Sequence, residues 1–218
     1  MTSFVLKIIA LISMLLDHLS YAIYGRISFL NYIGRLAFPI FAFQITEGYF
    51  HTKNLKKYFL RIGIFALISQ IPYMLFLRTF TNTFTLNIFF TLFIGLVAIT
   101  IFDKSQNKYL GFLYVILICI ISELFKFDYG YFGILVIFIF HMFKNNKLHM
   151  GIAFLLAVCL KYTVALIQSN FYSTYYILAI FTALSIIPIV FYNKKQGKNI
   201  KYFFYIFYPV HLIILYLI

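Results

Sequence analysis

The chain has 218 residues, of which 64% are apolar and only 11% are charged. Soluble globular domains are roughly 45–50% apolar and about 25% charged, and a soluble fold of this length leaves much of its surface in water. Disordered segments are excluded as well, because they lack the aromatic and branched residues that dominate this chain. The composition therefore predicts an integral membrane protein that crosses the bilayer several times.

Nine apolar segments follow one another along the chain, separated by short charged or turn-like pieces. A spanning helix needs about 20 mostly apolar residues, and the apolar runs are continuous, which favours helices over strands. The predicted spans are 4–24, 35–50, 58–77, 85–102, 109–125, 130–143, 148–168, 172–192 and 201–218. We therefore predict an all-α fold, a polytopic transmembrane helix bundle of about nine spans that forms a single domain over residues 1–218.

Basic residues are distributed unevenly between the two sides of the predicted bundle. Four loops carry eleven lysines, whereas the loops on the opposite side carry four basic residues. The lysine-rich loops are 51–57, 103–108, 144–147 and 193–201, and the opposite loops hold Arg26, Arg35, Arg78 and Lys126. Since cytoplasmic loops are rich in lysine and arginine, the bias predicts a cytoplasmic N-terminus and a multi-pass protein of the cytoplasmic membrane. No nucleic-acid partner is expected, because a nucleic-acid interface gathers its basic residues on one face.

Polar and ionisable side chains inside the predicted spans are costly in lipid, so each is a functional-site hypothesis. Counted at about 1.5 Å per helical residue from the cytoplasmic end, they fall into three layers. The layers are Lys7, Glu47 and Arg61 near the inner boundary, His18, Gln70 and His211 near mid-membrane, and Arg35, Asn87, Glu123 and Lys161 towards the outer face. Because many helices contribute to these layers, we expect a hydrated cavity through the bundle.

The first predicted helix carries the most informative spacing. Lys7 and His18 are eleven residues apart, which returns them to within roughly 20° of one helix face and separates them by about 16.5 Å. A cation at the cytoplasmic mouth, with an imidazole further along the same face, suits a long acyl donor whose phosphates would lie near Lys7. The acyl-carrying arm would reach His18, and histidine suits proton transfer because its pKa lies near neutral pH. Asp17 points about 100° away from His18, and we expect it to pair with Arg35.

Several strings of this sequence resemble those of a known family. They are KIIAL at 7–11, MLLDH at 14–18, GRLAFPIFAF at 34–43, EG at 47–48, NLKKY at 54–58, ALISQIPY at 66–73 and FYPVH at 207–211. Through them the chain resembles the TraX family of conjugal-transfer membrane proteins from end to end. The resemblance is strongest over residues 7–73 and 203–218.

The resemblance implies acetyl transfer. TraX of the F-type conjugation system is associated with N-terminal acetylation of the pilin subunit. The family is also similar to the larger transmembrane acyltransferase superfamily, whose members acetylate cell-surface sugars with acetyl-CoA from the cytoplasm. That superfamily carries a basic residue, ten further residues and a histidine in an early helix, and Lys7 and His18 match this spacing. Lysine stands here where many members have arginine, and it cannot bind phosphate in arginine's bidentate manner.

Residues and resemblance together predict an acetyltransferase in one integral-membrane, acyltransferase-like domain, with acetyl-CoA as the donor substrate and no metal. The predicted catalytic residues are His18, as general base or acyl relay, Asp17 and Arg35. The predicted donor-binding residues are Lys7, Arg61, Lys53, Lys56 and Lys57, and the predicted lining of the reaction chamber is Glu47, Gln70, Asn87 and His211. Two classes of acceptor remain open. The accepting amine or hydroxyl belongs either to the N-terminus of a peptide or pilin-like protein or to a cell-surface glycan. Homodimer formation stays open too.

A small proton-coupled transporter is the alternative from a different functional class. It would also need charges within the spans, and protons could pass between Asp17, Glu47, Glu123 and Lys161. Transporters usually show paired halves with matching broken segments, and no internal repeat is visible in this sequence. A non-catalytic scaffold is a third alternative, for which the adjacent Asp17 and His18 would serve no purpose. Saturable binding of acetyl-CoA favours the enzyme, and substrate-dependent proton flux favours the transporter.

Overall fold

The computed structural model describes residues 1–170, 172–198 and 201–218, without the side chain of Lys201. Over these residues the chain is helical and forms no β-strand. The helices are α1 (Ser3–Tyr24), α2 (Phe29–Gly34), α3 (Ala37–His51), α4 (Leu55–Leu77), α5 (Ile88–Lys104), α6 (Lys108–Leu124), α7 (Gly130–Met142), α8 (Lys147–Gln168), α9 (Thr174–Leu184), α10 (Ile186–Val190) and α11 (Lys201–Leu217). The all-α prediction is confirmed for this part of the chain. The predicted loop 193–201 includes residues 199 and 200, which lie outside the described residues.

Two helical features differ from the predicted segments. The sequence leaves 25–34 outside the spans, but α2 forms there because the Ser28 side chain accepts from Leu30 N and the Ser28 backbone N–H donates to Asn31 Oδ1 at 2.8 Å. The segment 172–192 is divided into α9 and α10 at Ser185. Proline has no N–H to donate to the carbonyl four residues earlier, so Pro188 removes one of the hydrogen bonds that would continue α9.

The length and composition of several helices are those of a membrane protein. Three helices of the described chain, α1, α4 and α8, are long and apolar enough to cross a membrane, and shorter apolar helices cover Gly130–Met142, Thr174–Val190 and Tyr202–Leu217. The outward faces of α6 and α8 are also apolar, since Ile116 is 56% exposed and Leu156 is 65% exposed. Exposed apolar surface on this scale is typical of contact with lipid or another protein.

Close helix packing places α2 directly against α1. Helix α1 packs against α2, α3 and α11, α4 packs against α5 and α11, and α5 packs against α7. A Cβ atom added to Gly34 would overlap the side chain of Asp17, and one added to Gly95 would overlap Ile137. Small residues let neighbouring helices approach closely. The glycine at the end of α2 therefore allows this helix to reach α1 at Asp17.

One end of the bundle gathers the lysine-rich loops, and we call it the basic end. Helices α1, α4 and α8 begin there, and α3, α5, α7 and α10 finish there. The segment 191–198 lies across the start of α1, because Ser3 N donates to the Lys195 carbonyl at 2.8 Å and Phe4 N donates to the Gln196 carbonyl at 3.0 Å. This segment therefore forms part of the rim at the start of α1.

Candidate active site

Two adjoining cavities lie within the bundle. The basic cavity, of about 830 Å³, opens at the basic end, and the inner cavity, of about 240 Å³, lies further along α1. The side chains that line both cavities are Met14, Phe41, Ile88 and Tyr208. We call these four residues the neck. The neck is mostly apolar and separates a basic compartment from a compartment that contains His18.

Five cations line the basic cavity, Lys7, Lys53, Lys57, Arg61 and Lys194. The Arg61 guanidinium lies over the rings of Tyr58 and Tyr205, at 5.3 and 5.6 Å from their centroids. Such stacking fixes the orientation of a guanidinium that can still bind an anion. Lys56, which the sequence analysis grouped with these cations, is exposed and lies outside this lining. The cavity therefore presents fixed and flexible positive charge to an anionic ligand.

An ion pair lines the inner cavity. Arg35 Nη2 donates to Asp17 Oδ1, and Asn31 Nδ2 donates to the same carboxylate oxygen at 3.1 Å. The pairing of Asp17 with Arg35 that the sequence predicts is present. It depends on α2, which supplies Asn31 and is followed directly by its C-cap residue Arg35. The Nε of Arg35 is buried and has no hydrogen-bond partner among the described residues, so one donor of this guanidinium is unused.

His18 forms a hydrogen-bonded pair with His211. His18 Nδ1 lies 2.7 Å from His211 Nε2, and His211 Nδ1 lies 2.8 Å from the carbonyl oxygen of Phe207. A carbonyl only accepts, so a neutral His211 carries its proton on Nδ1 and accepts at Nε2. A neutral His18 then donates from Nδ1, which leaves a lone pair on its Nε2. The His18 ring lines the inner cavity, and its Nε2 has no partner within the described chain. This nitrogen is therefore available as a base.

His211 itself lies behind His18 and outside the lining of both cavities. The prediction that it lines the reaction chamber is corrected accordingly. Its side chain is 4% exposed, so it can act on a ligand through the His18 ring. The ring of His18 also packs edge-on against Phe76, with centroids 5.5 Å apart. Packing and hydrogen bonding together hold the imidazole in one orientation.

The face of α1 that links the two cavities follows the predicted spacing. Lys7 lines the basic cavity, Met14 lines the neck, and His18 lines the inner cavity. Positions seven and eleven residues after Lys7 recur on one side of an α-helix. The geometry therefore gives one continuous stripe from the basic end to the imidazole.

Three predicted lining residues occupy other places. Glu47 lines the basic cavity and not the inner cavity. Gln70 and Asn87 lie outside both linings and bond to each other, since Asn87 Nδ2 donates to Gln70 Oε1 at 2.8 Å. Asn87 also caps α5 by accepting from Phe89 N at 3.0 Å. The depth estimate gives a residue's position along the helix axis but not the side of the helix on which it lies. It could therefore not distinguish Gln70 and Asn87, which bond to each other, from residues that line a cavity.

The inner cavity contains two ionisable residues that the predicted site lacks. Asp128 and Lys161 both line it, and the Lys161 ammonium lies over the ring of Phe132 at 4.3 Å from the centroid. Asp128 belongs to the loop between α6 and α7 and is exposed to the cavity. Removal from bulk water raises the pKa of the Asp128 carboxyl to about 6, against the lowering effects of Arg35 and Lys161. Among the described residues, no cluster of His, Cys, Asp and Glu has the arrangement of a metal site.

A substitution at Gly34 tests the contact that supports the ion pair. Gly34→Ala places a methyl group against the Asp17 side chain, and we expect it to lower the free energy of unfolding by about 1–3 kcal/mol. Gly151→Ala is the matched control, because its Cβ would meet Ile186 Cγ1 at 3.9 Å, an ordinary contact. Thermal unfolding in detergent measures both. Equal melting temperatures for the two variants would contradict the close approach.

The fold and both cavities fall within one family match. The chain matches the family described as TraX protein over residues 3–218. It belongs to the TraX family. The matched range includes every residue that lines the basic and inner cavities.

Two relatives extend this comparison. The probable fimbrial assembly protein FimC, serogroup H1, of Dichelobacter nodosus is 28% identical over 233 residues, which cover 98% of this chain and 94% of that protein. An uncharacterized protein of Rickettsia prowazekii (strain Madrid E) is 26% identical over 172 residues, which cover 77% of this TraX-family chain and 64% of that protein. No solved structure matches this chain.

Proposed function

We propose that this TraX-family chain is a membrane-embedded acetyltransferase that moves an acetyl group from acetyl-CoA to an amine or hydroxyl of an acceptor. One observation carries the proposal. A basic cavity large enough for a cofactor-sized ligand adjoins, at the neck, an inner cavity in which His18 Nε2 is unpaired. In this arrangement the charged part of the donor would bind in one cavity, and the reaction of its acyl group would take place in the other.

The basic cavity supports acetyl-CoA as the donor. Its volume of about 830 Å³ falls in the range of roughly 300–1,000 Å³ that small-molecule and cofactor sites occupy. The phosphates would contact Lys53, Lys57, Arg61 and Lys194 at the rim, and the thin acyl-carrying arm would pass Lys7 and enter the neck. Arginine held by aromatic rings suits phosphate, because its planar donors can bind two oxygens together.

The inner cavity supports direct acyl transfer with His18 as the general base. The acceptor atom attacks the thioester carbonyl, a C–N or C–O bond forms, and the C–S bond breaks. His18 Nε2 takes the proton that the acceptor loses and returns it to the departing CoA thiolate, so protons balance. Arg35 lines the inner cavity, and its guanidinium is suited to stabilise the oxyanion of the tetrahedral intermediate. Transfer through an acetylated His18 uses the same nitrogen and remains the second route.

The topology of the proposal follows the lysine bias. Nine spans with a cytoplasmic N-terminus would place the basic end on the cytoplasmic side, where acetyl-CoA is supplied. The chain would then be a multi-pass protein of the cytoplasmic membrane. The name of the Dichelobacter nodosus relative refers to fimbrial assembly, which supports a pilin-like subunit as the acceptor. A cell-surface glycan is the other acceptor class.

The transporter alternative receives less support from the placement of its residues. Asp17 and Lys161 line the inner cavity, whereas Glu47 lines the basic cavity. Glu123 is exposed, and its Oε1 accepts from Tyr131 N at 2.7 Å. A proton relay needs neighbouring groups, and Glu47 lies in a different cavity from Asp17 and Lys161.

Purified full-length protein in detergent tests the proposal with radiolabelled acetyl-CoA. We expect saturable binding, and transfer of label to a synthetic peptide with a free N-terminus or to a glycan acceptor. The same peptide with a blocked N-terminus is the control for transfer to that amine. Absence of saturable acetyl-CoA binding, together with substrate-dependent proton flux in liposomes, would reject the enzyme in favour of the transporter.

A further inference from the structure

Two buried polar atoms in the basic cavity lack hydrogen-bond partners. Gln44 Nε2 and Glu47 Oε2 are both buried and unbonded among the described residues, and both side chains line this cavity. An unpaired buried polar group is costly, and native structures contain few of them. His51 Nε2 lies 3.4 Å from Glu47 Oε2. Side chains that line one cavity therefore carry one unsatisfied donor and one unsatisfied acceptor.

Neighbouring side chains hold these two groups in position. Ser3 Oγ donates to Gln44 Oε1 at 2.7 Å. This hydrogen bond fixes the orientation of the amide and leaves its nitrogen as a free donor. Tyr192 lines the same cavity, close to the Glu47 carboxylate. Residues three apart on a helix lie on one face. The pair is therefore a prearranged donor and acceptor, one turn apart on α3.

Their place along α3 lies between the rim and the neck. His51 and Gly48 line the basic cavity nearer the rim, Phe41 lines the neck, and Phe38 lines the inner cavity. At about 1.5 Å per residue, the donor and acceptor are roughly 4–9 Å from Phe41 along the helix axis. A ligand that extends from the rim to the inner cavity must pass them.

We propose that Gln44 and Glu47 bind an amide group in the arm of the acyl donor. Gln44 Nε2 donates to the amide carbonyl, and Glu47 Oε2 accepts the amide N–H. This inference rests on the proposed function and names the part of the donor that the site selects. The Glu47 carboxylate repels phosphate, so the phosphates stay at the lysine-rich rim. Acyl phosphates and simple acyl esters lack an N–H, and they leave Glu47 unsatisfied.

Leucine at either position removes one hydrogen bond while keeping a side chain of similar size. We expect Gln44→Leu and Glu47→Leu each to raise the KM for acetyl-CoA by about 3- to 10-fold, with kcat changed less than twofold. Thr46→Val is the matched control, because the Thr46 hydroxyl donates to the Phe43 carbonyl of its own helix and Thr46 lies outside both cavities. Gln44→Glu retains the side-chain shape, replaces the donor by a second carboxylate and is expected to raise KM further.

Substrates without part of the donor separate the proposal from its competitors. S-acetylpantetheine keeps the amides and lacks the nucleotide, and each leucine variant should raise its KM by the same factor as for acetyl-CoA. An analogue with methylene groups in place of the amides should bind wild type more weakly, and the leucine variants should add no further loss. A loss that vanishes with S-acetylpantetheine would assign the pair to the adenine base and overturn the inference.

The outcomes also distinguish this inference from the proposed function. Wild-type turnover of acetyl-CoA with KM values in both leucine variants equal to that of Thr46→Val would reject the amide site and leave the acetyltransferase intact. Failure of the wild-type protein to bind acetyl-CoA would reject both. Melting temperatures of all variants in detergent identify any loss of activity that comes from unfolding. If Gln44→Leu unfolds, Gln44→Glu serves as the test at residue 44.

Discussion

Replacing His18 by alanine is expected to reduce the kcat for acetyl transfer by about 10²–10⁴-fold, the range that general acid–base catalysis contributes. The reason is the unpaired Nε2, which lies in the inner cavity and has no replacement among its hydrogen-bonded neighbours. Acetyl-CoA binding should change much less, because the proposed donor contacts lie in the basic cavity and one lost hydrogen bond is worth at most about tenfold. Steady-state kinetics and equilibrium binding on the same preparation measure the two effects.

His149→Ala is the control for this experiment, because His149 is exposed and lies outside both cavities. His211→Ala should lower kcat less than His18→Ala does, since it removes the group that orients the base and leaves the base in place. Retention of wild-type turnover by His18→Ala would make the central assignment wrong. Labelled protein trapped by acid quench in wild type, and lost in His18→Ala, would favour the covalent route.

Removal of one member of the Asp17–Arg35 pair should have the largest effect on stability. Asp17→Ala leaves the Arg35 guanidinium without its carboxylate, and breaking a buried pair costs about 3–5 kcal/mol. Both side chains retain some access to the cavity, with 14% and 21% exposed, so we expect the lower limit of about 3 kcal/mol. Denaturation in detergent, followed by circular dichroism, measures the free energy of unfolding.

The double variant Asp17→Ala, Arg35→Ala sharpens this test. It should be more stable than Asp17→Ala alone, because it removes the charge that the single variant leaves unpaired. Lys56→Ala, which removes an exposed charge outside both cavities, should unfold like wild type. Additive losses in the double variant would show that the two side chains contribute independently and would contradict the pairing energy.

Local patterns explain which parts of the structure could be predicted. Continuous apolar runs identify the helices because the run is a property of the local sequence and can be read without knowing which helices pack against it. The stripe from Lys7 to His18 depends only on helix geometry, and the structure gives it as expected. Helix α2 could not be predicted in this way, because its position depends on the close approach of Gly34 to Asp17, which is a contact between two helices.

The inner cavity shows where sequence reasoning ends. Asp128 has the surroundings of an ordinary loop residue in the sequence, between two apolar runs. Its loop is drawn into the fold because Leu86 N donates to the Lys126 carbonyl and Asp128 N donates to the Leu86 carbonyl, both at 3.0 Å. Gln70 and Asn87 illustrate the converse, because polar residues at the right depth can satisfy each other and leave the cavity to others. The Gly34 and Asp17 variants address the contacts that local patterns do not reveal.

The neck bears on the fate of the thioester. Met14, Phe41 and Ile88 offer no hydrogen-bonding side chain to water, so an arm threaded between them would displace water and fill the passage. A thioester delivered beyond this seal would meet the acceptor before it meets bulk solvent, and exclusion of water suppresses hydrolysis of reactive groups. Widening the neck would therefore favour acetate formation over acetylation, with the donor consumed and the acceptor left unmodified.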